Sequence, residues 1–167
     1  MIKTILFVCT GNTCRSIMAQ GIFEKLLKEK TESPHQFNVM SAGICAMPGM
    51  IPTPEAISVM SEKNIDISKH ESKQLTKDLI DKADYIFTMS NNHLNYLLNI
   101  NPSAQSKAFL LKRYAIKDKI KENIKNKKHY EINDPIGKDI DYYRIIAKEI
   151  RENVEKVINI IIKENTN

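Results

Sequence analysis

An apolar run that leads directly into a polar loop is the feature that most constrains how this chain can fold. Residues Ile5–Val8 form an uninterrupted apolar segment, as expected of a strand buried on both faces. The loop Cys9–Ser16 follows, and apolar residues then recur at four-residue spacing between positions 18 and 27. The pattern predicts a buried strand over residues 2–8, a tight loop, and a helix over residues 16–30.

The residue types in this loop are those that an anion-binding site needs. Gly11 is expected to turn the backbone with positive φ, so that the amides between Cys9 and Ser16 converge on one point. The helix N-terminus adds unpaired N–H groups, and Arg15 offers a planar fork for two phosphoryl oxygens. Cys9 alone would be interpreted as a small packing residue. In this setting the loop predicts a phosphate site with a nucleophilic thiolate at its base.

The rest of the chain alternates between predicted strands and helices. Further strands are predicted at 37–40, 85–89 and 108–111, and helices are predicted to start at Thr53, Thr76 and Ser90 and to include Ile146–Ile162. Alternation of this kind implies a parallel sheet covered on both faces. The predicted fold class is therefore α/β: a single three-layer domain, residues 1–167, with a four-stranded parallel sheet flanked by helices and a phosphate-binding loop after strand one.

Composition narrows the class of protein. The 167 residues are 42% hydrophobic and 27% charged, which is an ordinary globular balance. The first apolar run is too short for a signal peptide and no stretch could span a membrane, so a cytoplasmic location without a membrane partner is expected. The chain is also expected to be a monomer. Three cysteines argue against a disulfide framework. Because no cysteine–histidine spacing resembles a zinc site, neither a metal nor a cofactor is expected.

The net charge of +5 is concentrated in residues 112–130, a stretch with eight basic and two acidic side chains. One interpretation is a patch for an acidic or phosphorylated partner. A solvated surface segment is the favoured alternative, because aromatic residues do not interleave with the cations as they do in single-strand binders. No nucleic-acid partner is predicted.

Three motifs follow one another along the chain. Cys9 and Arg15 are separated by five residues, Ser41–Gly43 follows the second predicted strand, and Asp134 precedes a proline in a late loop before the last helix. This combination resembles the low-molecular-weight protein tyrosine phosphatase family. The resemblance implies that Cys9 forms a phosphocysteine, that Arg15 binds the phosphoryl group, and that Asp134 is the general acid and then the base. From the residues alone, Asp-Pro is also a common turn pair. Ile136 stands where family members often have an aromatic residue.

Thr13 refines the assignment. Tyrosine phosphatases of the family usually carry Ile there, and the loop with Thr13 is similar to the bacterial protein arginine phosphatase branch. A hydroxyl can hydrogen-bond a guanidinium, whereas Ile offers only apolar packing. The prediction is hydrolysis of phosphoarginine in phosphorylated protein substrates, with a tyrosine phosphatase as the close alternative. Thiol-dependent arsenate reduction is a third possible function. It is disfavoured because no cysteine pair lies near residues 80–90, where the thioredoxin-linked reductases have theirs. A binding module that performs no chemistry is a fourth, and it would need neither Cys9 nor Asp134.

The other loop residues receive specific expectations. The phosphate- and substrate-binding set is predicted to be Thr10, Gly11, Asn12, Thr13, Cys14 and Ser16. In the family, the residues corresponding to Asn12 and Ser16 hold the loop open and donate to the nucleophile, although Ser16 could also be a plain helix cap. Cys14 is either a packing residue or, as the resemblance implies, a redox partner that forms a disulfide with Cys9.

Several residues outside the loop are predicted to have no catalytic role. Cys45 is expected to be structural. The four histidines are expected at the surface: His35, His70, His93 and His129. Tyr142 and Tyr143 could line the rim of the pocket, but packing against the sheet is favoured.

Overall fold

The chain forms a parallel sheet with helices on both sides. The computed structural model describes residues 2–117 and 130–166. Its strands are β1 (Lys3–Cys9), β2 (Phe37–Gly43), β3 (Tyr85–Thr88) and β4 (Ala108–Leu110). Its helices are α1 (Arg15–Lys30), α2 (Pro54–Ser61), α3 (Lys77–Lys82), α4 (Asn91–Ile100), α5 (Leu111–Tyr114) and α6 (Ile140–Thr166). Short 3₁₀ turns lie at Pro34–Gln36 and Pro102–Ser106.

Within the described residues the strands pair in the order β2-β1-β3-β4, and every pair is parallel. β1 therefore lies inside the sheet, between β2 and β3, which explains its uninterrupted apolar run. Successive side chains alternate between the two faces. Ile5 and Phe7 pack with α1, α2, α5 and α6 on one face, and Leu6 and Val8 pack with α3 and α4 on the other. The predicted α/β fold class is confirmed.

Strands β2 and β4 end at other residues than predicted. β2 continues to Gly43 instead of ending at Met40, because its last residues pair with Phe7–Cys9 of β1. β4 ends at Leu110, and Leu111 already begins α5. The basic stretch 112–130, predicted to be a solvated surface segment, falls largely on residues 118–129, which lie outside the described residues.

The helix starts follow the predicted capping residues. The hydroxyls of Thr53, Thr76 and Ser90 accept hydrogen bonds from backbone N–H groups three residues further on, and each stabilises the first turn of its helix. The last helix, α6, buries an isoleucine and valine stripe against α1 and α2. Among the described residues, no helix combines the length and apolar character that crossing a membrane would require.

Candidate active site

The loop between β1 and α1 takes its shape from Asn12. Positive φ was expected at Gly11, and that expectation is wrong: the residue in the left-handed region is Asn12, with φ of 56°. Asparagine tolerates this conformation better than most residues. Its side chain also holds the loop from behind, because its Nδ2 donates to Ser16 Oγ at 2.8 Å and to Ser41 Oγ at 2.9 Å. Its Oδ1 accepts from the Lys73 N–H at 2.9 Å.

The end of β2 supports the same loop at close range. A Cβ at Gly43 would overlap the Thr10 carbonyl oxygen and would lie 2.9 Å from the Asn12 nitrogen. The backbone therefore approaches closely here, and any side chain would push the loop away. Beyond Gly43, the N–H groups of Ile44 and Cys45 donate to the carbonyls of Cys9 and Thr10, each at 2.9 Å.

Cys9 lies at the base of the loop, where β1 ends. It is 2% exposed, and its Sγ is 2.9 Å from Ser16 Oγ and accepts from the Asn12 N–H at 3.3 Å. These donors are placed where they can stabilise a sulfur anion. The helix-cap interpretation of Ser16 is wrong, because α1 begins at Arg15 and Ser16 turns its hydroxyl toward the Cys9 sulfur.

Arg15 is buried beside Cys9 with part of its guanidinium unused. Its Nη1 donates to the Ile132 carbonyl at 3.0 Å, and its Nη2 lies 2.9 Å from Asp134 Oδ2. Nη2 also lies 3.5 Å from Thr10 Oγ1. Its Nε is fully buried and has no acceptor among the residues that the structure describes. A buried donor without an acceptor costs about 1–3 kcal/mol, so the site indicates a ligand that brings oxygen atoms.

These side chains surround a pocket of about 160 Å³. The residues that line it are Cys9, Thr10, Gly11, Thr13, Cys14, Arg15, Asp134 and Ile136. Of the predicted site residues, Asn12 and Ser16 lie instead behind the loop, fully buried. Ile136, at the mouth of the pocket, is 57% exposed. A larger groove of about 740 Å³ lies at the β4 edge, and its described lining contains no cysteine.

Two histidines contact the loop, contrary to the expectation that they lie at the surface. His93 is 2% exposed, and its Nε2 lies 2.9 Å from Thr10 Oγ1. Burial, assisted by the positive charge of Arg15, lowers the pKa of His93 to about 4, so its ring is neutral at neutral pH. Half-buried His70 donates from Nε2 to Asn12 Oδ1 at 3.0 Å, and burial lowers its pKa. His35 is exposed as predicted, and His129 lies outside the described residues.

One feature of the sequence could have indicated that His93 lies at the loop. It sits three residues after the Ser90 cap, in the first turn of α4, at the carboxyl end of β3. β3 pairs directly with β1, so the residues that follow these two strands meet at one edge of the sheet.

Cys14 lies in a small polar cluster at the side of the pocket. Its Sγ is 3.4 Å from Tyr143 Oη and 3.6 Å from Thr53 Oγ1. Burial raises the pKa of the Cys14 thiol. Tyr143 is 1% exposed and combines the packing role that was predicted with a contact to the loop. Cys45 is exposed, and its backbone N–H supports the loop at Thr10.

Comparisons with known proteins agree with this geometry. Residues 4–167 match the family described as low molecular weight phosphotyrosine protein phosphatase. The protein-arginine-phosphatase of Bacillus subtilis (strain 168) is 32% identical over 160 residues, covering 96% of this chain and 95% of its own. The arsenate reductase of Staphylococcus aureus (strain N315) is 33% identical over 154 residues, covering 92% of this chain and 95% of its own.

A solved structure extends the comparison to the chemistry. A mutant of the YwlE arginine phosphatase with a phosphorylated active-site serine superposes with a TM-score of 0.83 at 31% identity, covering 96% of each chain. A phosphorylated residue in the active site is the mark of covalent phosphoryl transfer. The present chain has a buried cysteine, an arginine with an unused donor and a carboxylate around one small pocket. It therefore belongs to the low molecular weight phosphotyrosine protein phosphatase family and is a cysteine-dependent phosphatase.

Proposed function

We propose that this chain is a protein arginine phosphatase that hydrolyses phosphoarginine in proteins through a phosphocysteine on Cys9. The observation that carries the proposal is the position of Thr13 on the wall of the pocket that Asp134 also lines. A hydroxyl and a carboxylate at the mouth of an anion pocket suit a leaving group that is planar, polar and rich in N–H donors. The arginine-phosphatase relatives, similar over nearly their full length, support the same choice.

Asp134 also supports the proposal through its present partner. Its carboxylate contacts a guanidinium in this structure, that of Arg15, at 2.9 Å. The leaving group of phosphoarginine is a guanidine of the same shape. When phosphoryl oxygens supply acceptors to Arg15, the Asp134 carboxyl is released to face the leaving group, which lies on the solvent side of the phosphorus.

The reaction follows in two steps. The Cys9 thiolate attacks phosphorus, the N–P bond breaks, and protonated Asp134 delivers its proton to the departing guanidine. Asp134, now a carboxylate, then takes a proton from a water molecule that attacks the phosphocysteine. The S–P bond breaks, the thiolate is restored, and inorganic phosphate leaves. Throughout, the loop amides and Arg15 bind the equatorial oxygens, where negative charge accumulates.

Substitution of Thr13 tests the choice of substrate. Thr13→Ile removes the hydroxyl and adds apolar surface, and Thr13→Ser is the matched control that keeps the hydroxyl. We expect the ratio of phosphotyrosine to phosphoarginine kcat/KM to rise about tenfold in Thr13→Ile, since an unmet hydrogen bond costs about 1–3 kcal/mol. Thr13→Ser should retain most of the wild-type preference.

The assay compares matched phosphopeptides, with arsenate as a third substrate. Preference of the wild type for phosphotyrosine, or an unchanged ratio in Thr13→Ile, would contradict the arginine assignment and favour a tyrosine phosphatase. Reduction of arsenate in preference to either phosphopeptide would favour the reductase alternative.

A further inference from the structure

A chain of partly buried hydrogen bonds leads from α4 to the arginine of the pocket. Ser90 Oγ lies 3.0 Å from His93 Nδ1, and His93 Nε2 lies 2.9 Å from Thr10 Oγ1. Arg15 Nη2 in turn lies 3.5 Å from Thr10 Oγ1. The loop threonine therefore stands between a fully buried imidazole and the guanidinium that faces the pocket.

The chemistry of these groups fixes the direction of the hydrogen bond from Arg15 and favours one arrangement of the other two. A guanidinium can only donate, so the Thr10 oxygen accepts from Arg15. The single hydrogen of the Thr10 hydroxyl is then available to His93 Nε2, which can accept it. A neutral ring whose proton is on Nδ1 satisfies this arrangement, because Nδ1–H donates to Ser90 Oγ. An imidazole with its hydrogen on Nε2 would instead donate to Thr10 Oγ1, and the Thr10 hydrogen would then have no acceptor among the described residues.

Arg15 depends on this arrangement when the pocket is in use. In this structure its guanidinium is held by the Ile132 carbonyl, by Asp134 and by Thr10. Asp134 has to leave Arg15 in order to serve the leaving group. The Ile132 carbonyl and the Thr10 hydroxyl are then the protein acceptors that keep the guanidinium in place.

We propose that His93 is a positioning residue for phosphoryl binding: it accepts the Thr10 hydroxyl hydrogen and so keeps the Thr10 oxygen available to hold Arg15. The proposal rests on one part of the proposed function, namely that the pocket binds a phosphoryl group. It does not depend on whether the substrate carries that group on arginine or on tyrosine. The groups that face His93 fit the role. Arg15 contributes a positive charge, and Asp134 and Glu131 contribute negative ones.

The test is a double-mutant cycle on the binding of inorganic phosphate. His93→Leu removes the acceptor at similar volume, and Thr10→Val removes the hydroxyl. We expect each single variant to weaken phosphate binding about tenfold, the effect of losing one buried hydrogen bond. The double variant should bind no more weakly than Thr10→Val alone, because His93 acts through that hydroxyl. Additive losses would overturn the proposal.

Rescue and control variants complete the experiment. His93→Gln keeps a side-chain oxygen that can accept from Thr10, so it should recover most of the affinity that His93→Leu loses. Exposed His35 provides the matched control, and His35→Leu should leave phosphate affinity unchanged. If His93→Leu does not fold, Thr10→Val and Thr10→Ser carry the test, and a folded Thr10→Val with wild-type affinity overturns the proposal.

Failure of this proposal is distinguishable from failure of the proposed function. Equal phosphate affinity in wild type and His93→Leu would overturn the role of His93 alone. A wild-type protein that binds phosphate but prefers phosphotyrosine would overturn the arginine assignment and leave the role of His93 intact.

Discussion

Mild acid should destabilise this protein through one buried histidine. His93 has a pKa of about 4 in the folded protein, against an ordinary value of 6.5. Between those two pH values the unfolded chain binds a proton at this ring and the folded chain does not. The free energy of unfolding is therefore undiminished above about pH 6.5 and falls as the pH drops toward about 4.

The size of the loss follows from the two pKa values. At about pH 4.5 the ring is protonated in nearly all unfolded molecules but in a minority of folded ones. Each pKa unit between the two states corresponds to about 1.4 kcal/mol. Relative to neutral pH, His93 should lower the free energy of unfolding by about 2 kcal/mol, a large share of the ~5–15 kcal/mol that stabilises a typical domain.

The measurement is urea unfolding of wild type, His93→Gln and His35→Gln at about pH 7 and about pH 4.5. Glutamine does not titrate, so His93→Gln should lose about 2 kcal/mol less than wild type on acidification. Contributions from His70 and from the carboxylates are common to all three proteins and cancel. His35→Gln should follow the wild type. Equal losses in wild type and His93→Gln would refute the argument that this ring is buried and neutral.

Three further substitutions test the chemistry of the pocket. Cys9→Ser should abolish turnover yet still bind phosphate, because a hydroxyl is a weak nucleophile without a dedicated base; a near-wild-type rate would exclude the covalent route. Asp134→Asn should slow phosphoenzyme formation by about 10²–10⁴-fold, but less for a substrate with a very acidic leaving group; equal losses on both substrates would leave Asp134 a turn residue. Mild peroxide should inactivate the wild type reversibly, with a Cys9–Cys14 disulfide visible by mass spectrometry, and should inactivate Cys14→Ser irreversibly; identical recovery would show that Cys14 is not protective.

The fold was predictable because it depends on local patterns. Short stretches of sequence are enough to predict these elements. Examples are the apolar run of β1, the hydroxyl caps of three helices and the four-residue spacing in α6. Pairing of strands is not local. The extra length of β2 comes from Ser41–Gly43 lying against β1, which the sequence pattern of β2 alone does not show.

The residues that line the pocket were predictable for the same reason. The distant residues that hydrogen-bond to the loop were not. Cys9 and Arg15 lie in one contiguous motif, whereas the hydrogen-bond partners of Asn12 and Thr10 come from distant segments: Ser41, His70 and His93. Positive φ was assigned to Gly11 from intrinsic preference, but tertiary hydrogen bonds stabilise that conformation at Asn12 instead. Single-residue propensities cannot anticipate such partners.

The way Asn12 holds the loop has a consequence for regulation by the product. The groups that hold the Asn12 side chain are Ser16, Ser41, His70 and the Lys73 amide, and none of them is part of a substrate. The pocket thus offers free inorganic phosphate the same hydrogen-bond donors that it offers a phosphorylated side chain. We therefore expect inorganic phosphate to compete with the substrate, so that dephosphorylation slows as the concentration of free phosphate rises.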